Sequence, residues 1–372
     1  MLIEVLGLSK LLGGSKMKLF ENSEYIDDVK YVASLDLSWE LLRDKSILIS
    51  GASGLIGSFL VDVLMERNLH GMNCKVFALG RNIDRAKDRF SYCWSNGLFQ
   101  FMQDDITKPL EKPDIGKVDY VIHLASNTHP LQYSSDPIGT ISTNIFGLYN
   151  MLHFALEHNA TRCAFASSNE IYGENRGDVE VYDELYCGYI DSNSLRAGYP
   201  ESKRCGEALC QAFIKQKNMD IVIPRLTRTY GPTMLSSDSK AISQFIKKGI
   251  GGEDIVLKSA GTQHFSYTYV ADAVSGLLTV LLNGECGEAY NISDEKSDIM
   301  LKDLAREIAD ITGREVVFEE PDKAEALGYS KATKARLDGT KLKKLGWTAK
   351  YDIQSGLERT INILKSIDMG QI

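Results

Sequence analysis

The chain has 372 residues, 44% hydrophobic and 25% charged, with a formal net charge of −8. Those values fit a globular protein that buries a large core in two lobes, and they exclude disorder, collagen and fibre. No basic run suits a nucleic-acid partner, no apolar stretch reaches the roughly 18 residues of a membrane span, and the scattered cysteines contain no CxxC pair for a metal site.

Taken in chain order, residues 1–16 carry an apolar stretch without a basic n-region or a small-residue cleavage site. They read as an appendage or an upstream start, with Met17 as the alternative first residue, and not as a secretory signal. Residues 1–44 are expected to form an N-terminal extension. From there, short apolar runs alternate with amphipathic stretches, the pattern of βαβ units around a parallel sheet. Expected strands are Ser46–Ser50, Lys75–Leu79, Phe99–Gln103, Asp119–Leu124, Arg162–Ser167 and Asp220–Arg225, with helices at Leu55–Glu66 and Ile141–His158. The strands are continuous apolar runs, as expected when helices cover both faces of the sheet. Tyr182–Ala197 has no period and reads as an irregular loop over the site. After Arg225 come loops, isolated strands and short helices at Ala241–Lys248 and Leu301–Thr312. The fold expected is α/β: a Rossmann-like, doubly wound parallel sheet over 45–225, rejoined by about 267–295. A smaller C-terminal α/β substrate-binding lobe accounts for most of 226–372. Seven cysteines without a disulfide-like spacing suit reduced thiols and a cytoplasmic protein.

The first expected strand runs into Gly51-Ala52-Ser53-Gly54-Leu55-Ile56-Gly57, and a helix follows. Glycines there let backbone N–H groups and the helix N-terminus approach a pyrophosphate. Gly51 makes the turn, Gly54 the close approach and Gly57 the helix–strand contact; a glycine-rich turn without a ligand is the alternative. A carboxylate ending the second strand would bind the 2′-hydroxyl of NAD. Gly80-Arg81 stands there, and a guanidinium without the acid leans toward the 2′-phosphate of NADP. Arg81 could instead stack on adenine or point to water. Asp104-Asp105-Ile106 closes the third strand, where Asp105 can accept from the adenine amino group or simply form a solvated turn.

Tyr199-Pro200-Glu201-Ser202-Lys203 opens a helical pattern, and a spacing of four puts Tyr199 and Lys203 on one face. A phenol acting as a base near pH 7 needs its pKa lowered by about three units, roughly 4 kcal/mol. A neighbouring ammonium supplies part of that. With 17 tyrosines the spacing recurs by chance, so its weight comes from following a strand that ends Ala166-Ser167-Ser168.

These stretches together resemble the extended short-chain dehydrogenase/reductase family of nucleotide-sugar epimerases, dehydratases and decarboxylases. The matching segments are GASGLIG at 51–57, HLAS at 123–126, TNIFGLYNML at 143–152, SSNEIYG at 167–173, YPESK at 199–203, RLTRTYGP at 225–232, YTYVADAV at 267–274 and LDGTKLKKLGW at 337–347. They lie in family order over residues 45–365. The pattern at 123–152 is most similar to the UDP-glucuronate decarboxylase branch, with the dTDP-glucose 4,6-dehydratases next. The resemblance implies NAD as the cofactor, against the NADP lean of Arg81, and a nucleotide-diphosphate sugar as substrate. It makes Tyr199 the base at the sugar hydroxyl, Lys203 the residue that holds the nicotinamide ribose and lowers the phenol's pKa, and Ser168 a hydrogen-bond partner of the reacting oxygen. Glu170 stands at an acidic position shared by decarboxylases and dehydratases. Ser53, Leu55, Ile56, Ile106, Leu124, Ala125 and Ser126 line the cofactor, His123 caps the fourth strand as a packed histidine, and Tyr172 is structural.

Departures from the family pattern narrow the reaction. Asn169 replaces the aspartic acid with which dehydratases protonate a leaving hydroxyl, and an amide cannot deliver that proton. Phe265 stands where the family usually has arginine, while Arg228 stands where it has asparagine. A guanidinium is therefore expected to have changed walls, with Arg228 and Lys240 binding the diphosphate or an acidic substrate group, unless Arg228 forms a structural ion pair. Arg196 is a substrate contact or a loop cap. The function expected is transient C4 oxidation of a nucleotide sugar, first as uronate decarboxylation, then 4-epimerisation, then 4,6-dehydration. An NADPH-consuming ketosugar reductase and a non-catalytic dinucleotide sensor are the alternatives from other classes. Homodimerisation through 137–158 and 199–216 is expected by analogy.

Overall fold

A computed structural model describes residues 17–110, 115–128, 130–319 and 333–367; the expected appendage at 1–16 lies outside them. In chain order, α1 (Ser23–Ser34) precedes β1 (Ser46–Ser50), α2 (Leu55–Leu69), β2 (Lys75–Gly80), α3 (Ile83–Arg89), β3 (Phe99–Gln103) and β4 (Tyr120–His123). Next come α4 (Pro130–Ser135), α5 (Pro137–Glu157), β5 (Arg162–Phe165), β6 (Ser167–Ser168), α6 (Gly198–Lys217), β7 (Ile221–Leu226) and β8 (Arg228–Tyr230). The remainder runs α7 (Ala241–Gly251), β9 (Ile255–Leu257), β10 (His264–Tyr269), α8 (Val270–Asn283), β11 (Ala289–Ile292), β12 (Asp298–Met300) and α9 (Leu301–Thr312). Then follow β13 (Val316–Phe318), β14 (Lys334–Ala335), α10 (Thr340–Lys343) and α11 (Ile353–Ser366).

The large sheet has the order β11-β7-β5-β4-β1-β2-β3, with β6 also on β7, and all of its pairings are parallel. Side chains alternate across it, so Ile47 and Ile49 enter one apolar cluster while Leu48 enters another. Both faces are thereby buried, which explains the uninterrupted apolar strands. The order reverses between β1 and β4, and a doubly wound sheet opens a ligand crevice at such a point. After β7 the chain builds a smaller layer in which β10 pairs with β8, β12 and β14, and β9 pairs with β13. It then returns: α8 is buried along its whole length except for its last residue, and β11 adds to β7. The apolar run Leu277–Leu282 is thus core helix, and no helix among the described residues is long and apolar enough to cross a membrane.

The N-terminal segment differs from a simple extension. Asn22 caps α1 by accepting from Tyr25 N, and α1 is clamped at both ends of its buried face. Asp28, fully buried, accepts from Tyr269 Oη at 2.6 Å, Tyr351 Oη at 2.5 Å and Arg359 Nη2 at 2.8 Å. Tyr25 and Arg89 both close on Asp62 of α2. Neither clamp is visible locally, because its partners lie far apart in sequence.

Candidate active site

The crevice beside β1 and β4 is a cleft of about 850 Å³. One end is the glycine loop. Gly51 has φ +71°, open to glycine and strained for other residues, and a Cβ there would lie 2.8 Å from Ala125 N. A Cβ on Gly57 would lie 2.4 Å from Gly51 O, so only backbone fits beneath the first turn of α2. The N–H groups of that turn have no partner within the helix and face the cleft with the positive end of its dipole. This cradle fits the pyrophosphate of a dinucleotide. Ser53, Gly54, Leu55, Ile56, Leu124, Ala125 and Ser126 line it.

Beside this cradle, Gly80, Arg81, Asp105 and Ile106, the residues expected at the adenosine, line the wall. Asp105 is already engaged, accepting from Thr107 N at 3.0 Å and Thr107 Oγ1 at 2.9 Å; those bonds, led by the backbone one, hold its pKa below the usual range. A second guanidinium, Arg85 on α3, also lines this end and donates to Ser53 O at 3.0 Å. Reading the sequence missed Arg85, which is five residues beyond the end of β2 and is brought back by the first turn of α3.

The other end holds Ser168, Asn169, Glu170, Arg196, Tyr199, Lys203, Arg228 and Lys240. Tyr199 starts α6 and is 6% exposed. Burial, then Glu170, hold its phenol above its ordinary pKa, while the Ser168 and Ser126 hydroxyls and the Arg196 charge pull the other way. The Lys203 ammonium lies beside the phenol. Its Nζ donates to Ala166 O at 2.8 Å and sits 6.0 Å from the centre of the Tyr199 ring. Burial pushes its own pKa down to about 8. The lysine is thus anchored on the backbone beside the phenol.

Arg196 lines the cleft and makes two bonds to Glu170, at 2.8 and 2.7 Å, rather than to loop carbonyls. Its guanidinium also lies 4.5 Å over the ring of Tyr133. Tyr133, which the sequence did not suggest, stacks on Tyr199 with centroids 4.9 Å apart. Its only sequence signal is an aromatic residue on a short helix before α5. Ser126 is fixed by donating to Asn144 Oδ1 at 2.6 Å, and Asn144 donates to Ser202 at 2.8 Å, which ties the cofactor wall to α6.

Lys240 is paired with Asp238 at 3.2 Å. Arg228 forms no ion pair among the described residues; it lies 3.5 Å over the Phe265 ring, and its Nη1 is buried without a hydrogen-bond partner. The two cations expected to act together are therefore in different electrostatic states. His123 is buried, shares Ser50 Oγ through Nδ1 at 2.7 Å, and is pushed by burial, then by Lys203, to a pKa of about 3, so it is a neutral packed residue. Tyr172 is fully buried, donating to Asn291 Oδ1 at 2.6 Å and accepting from Arg225 at 2.9 Å.

With this geometry in view, comparison with known proteins decides the family. Residues 47–293 match the model of the NAD dependent epimerase/dehydratase family. The chain belongs to that family. UDP-glucuronic acid decarboxylase 5 of Arabidopsis thaliana is 32% identical over 84% of this chain and 86% of its own length. UDP-glucuronic acid decarboxylase 1 of Xenopus tropicalis is 31% identical over 86% of this chain and 72% of its own. Among solved structures, the dTDP-glucose 4,6-dehydratase DesIV of Streptomyces venezuelae, with NAD and TYD bound, matches with TM-score 0.73 at 23% identity, covering 86% of this chain and 96% of that one. The UDP-glucuronic acid 4-epimerase of Bacillus cereus, in complex with UDP-glucuronic acid and NAD, matches with TM-score 0.72 at 22% identity over 86% and 99%. At those identities the structural likeness is one of fold. Family membership makes the chain an NAD-type dinucleotide-dependent enzyme with a Rossmann-like α/β fold, and the glycine cradle has the shape such a group needs.

Proposed function

We propose that this enzyme decarboxylates a nucleotide-activated uronate, most simply UDP-glucuronate, by transient oxidation at C4. The observation that carries the reading is that Tyr199, Ser168, Ser126 and Lys203 line one cleft beside Asn169, with the carboxylate of Glu170 held by Arg196. The named relatives that are about a third identical are decarboxylases. Gly51, Gly54 and Gly57 with the α2 N-terminus would hold the dinucleotide, with Lys203 at its nicotinamide side. When bound, it accepts a hydride from the sugar and returns it.

The chain's own work is proton handling at one oxygen. Tyr199 Oη takes the proton of the C4 hydroxyl, and Ser168 Oγ donates to that oxygen as it becomes a carbonyl. Loss of CO₂ from the carboxylate β to that carbonyl breaks the C5–C6 bond and places its electron pair on the same oxygen as an enolate, where Ser168 and the now protonated Tyr199 both donate. The enolate collapses by taking a proton from water at C5, which restores the C4 carbonyl. Tyr199 gives the proton back when the hydroxyl is restored. Asn169 and the Arg196-bound Glu170 supply no free acid at C6, which suits loss of CO₂ and opposes loss of water.

At the adenosine end, Gly80 with Arg81 and Arg85 supports NADP, whereas the solved neighbours named above hold NAD. Competition by 2′,5′-ADP against 5′-ADP distinguishes the two. The same two arginines favour one second reading, a reductase that consumes NADPH. We also read the enzyme as a cytoplasmic homodimer: α5 leaves Ile138, Phe146 and Tyr149 exposed on one helix, and the described cysteines are free thiols. The deciding experiment incubates purified protein with UDP-glucuronate and dinucleotide. Release of CO₂ with a nucleotide pentose as product is expected. A product of unchanged mass would replace the reading by epimerisation, and steady NADPH consumption by reduction.

A further inference from the structure

Arg228 is the anomaly of the cleft. The neighbouring Arg196 is paired with Glu170 at 2.7 Å, although its Nε too is buried without a hydrogen-bond partner, and Arg225 on β7 is paired with Glu207 at 2.7 Å. Arg228 has no ion pair among the described residues, and its Nη1 is shielded from solvent without a hydrogen-bond partner. Burial lowers its pKa, but a guanidinium stays charged at any pH the enzyme meets. A desolvated cation left unpaired is costly, and buried polar groups without partners are rare enough in folded proteins to need a cause.

Its position is fixed by the sheet. β8 and β10 run parallel with Arg228 opposite Tyr267, so Phe265 is the diagonal neighbour on the same face. The Phe265 ring lies under the guanidinium at 3.5 Å, so its N–H groups, the buried Nη1 among them, are directed away from the ring and can meet a planar anion where Arg228 lines the cleft. The groups that act on Arg228 are Tyr267, Glu170, Arg196 and Tyr133. Glu170 and Arg196 also act on Tyr199, and Tyr133 stacks on it. These N–H groups therefore lie at the reacting end of the cleft. Along the strand direction Leu226 is in register with Ser168, and Arg228 stands two residues further on.

We propose that Arg228, seated over Phe265, receives the carboxylate of the reacting sugar and so selects nucleotide uronates over neutral nucleotide sugars. The assignment rests on the nucleotide-sugar reading given above and narrows its substrate class. It also gives the exchange at positions 228 and 265 a physical sense: the ring is the shelf on which the guanidinium rests. A carboxylate matches the fork with two parallel bonds, supplying the partner that the fold itself withholds.

The test is equilibrium binding without turnover, by calorimetry. Paired glucuronates and glucoses carried on UDP, dTDP, CDP and GDP are compared with the bare nucleoside diphosphates. Wild type is expected to favour the acid sugar by about tenfold to a hundredfold, the range of a hydrogen-bonded charge. Arg228→Met abolishes the preference and leaves the affinity for the bare diphosphate unchanged, which also reports a folded cleft. Phe265→Leu, which keeps the charge and removes the shelf, reduces the preference partway and serves if Arg228→Met does not fold. Equal loss of the bare diphosphate in Arg228→Met would assign the residue to the diphosphate and overturn the proposal. So would absence of an acid-sugar preference in wild type on all four nucleotides. A retained preference without CO₂ release would leave Arg228 as the carboxylate reader and refute decarboxylation alone.

Discussion

Replacing Glu170 by glutamine removes one negative charge beside Tyr199 with little change of shape. After burial, that charge is the largest influence holding the phenol's pKa up, and two bonds to Arg196 at 2.8 and 2.7 Å partly neutralise it. At an effective dielectric of about 20, a unit charge several ångströms away is worth on the order of 2 kcal/mol, or about 1.5 pH units. Partial compensation by Arg196 reduces the expected shift to about one unit. Tyr199 accepts a proton only as phenolate, so activity rises with pH through its pKa, and lowering that pKa moves the acid limb of kcat/KM down. Arg196→Met leaves the carboxylate uncompensated and moves the same limb up by a similar amount. Initial rates across the neutral and alkaline range measure both, and a general loss of kcat does not mimic a displaced limb. Two limbs that stay put, or that move in the same direction, would refute the account of how this phenol is tuned.

Gly57→Ala forces a Cβ to within 2.4 Å of Gly51 O, so dinucleotide affinity should fall at least about tenfold, ~1.4 kcal/mol, in a nicotinamide fluorescence titration with unchanged circular dichroism. Asp28→Asn removes the carboxylate shared by Tyr269, Tyr351 and Arg359 and should cost about 3 kcal/mol in urea unfolding, whereas a negligible change would make α1 peripheral. Phe146→Asp places a charge on the outward face of α5. Light scattering should show a monomer with an unaltered melting curve, and a monomeric wild type would remove the dimer reading.

The parallel sheet was legible because each strand is an apolar run bounded by its own turn signals, so β1 and β3 fall where the local pattern places them. The glycine loop was legible for the same reason: the turn, the close approach and the helix contact are all encoded within seven residues. Tyr199 and Lys203 were singled out by their spacing after a strand that ends in two serines, Ser168 through family resemblance, and all three line one cleft. The bond from Lys203 to Ala166 O was not legible, since the carbonyl lies 37 residues away and meets the ammonium only in the fold.

Sequence alone determined the layering of the molecule and the end of the sheet at which a ligand sits, since both follow from periodicities of two and 3.6 and from backbone room at glycine. Tertiary structure decided the charge state of the site. Arg196 meets Glu170 across 26 residues, Tyr133 meets Tyr199 across the cleft, and Arg228 meets a ring and no carboxylate. Electrostatic partnership depends on distance in space and on the exclusion of water, and neither is written in the spacing of residues along a chain.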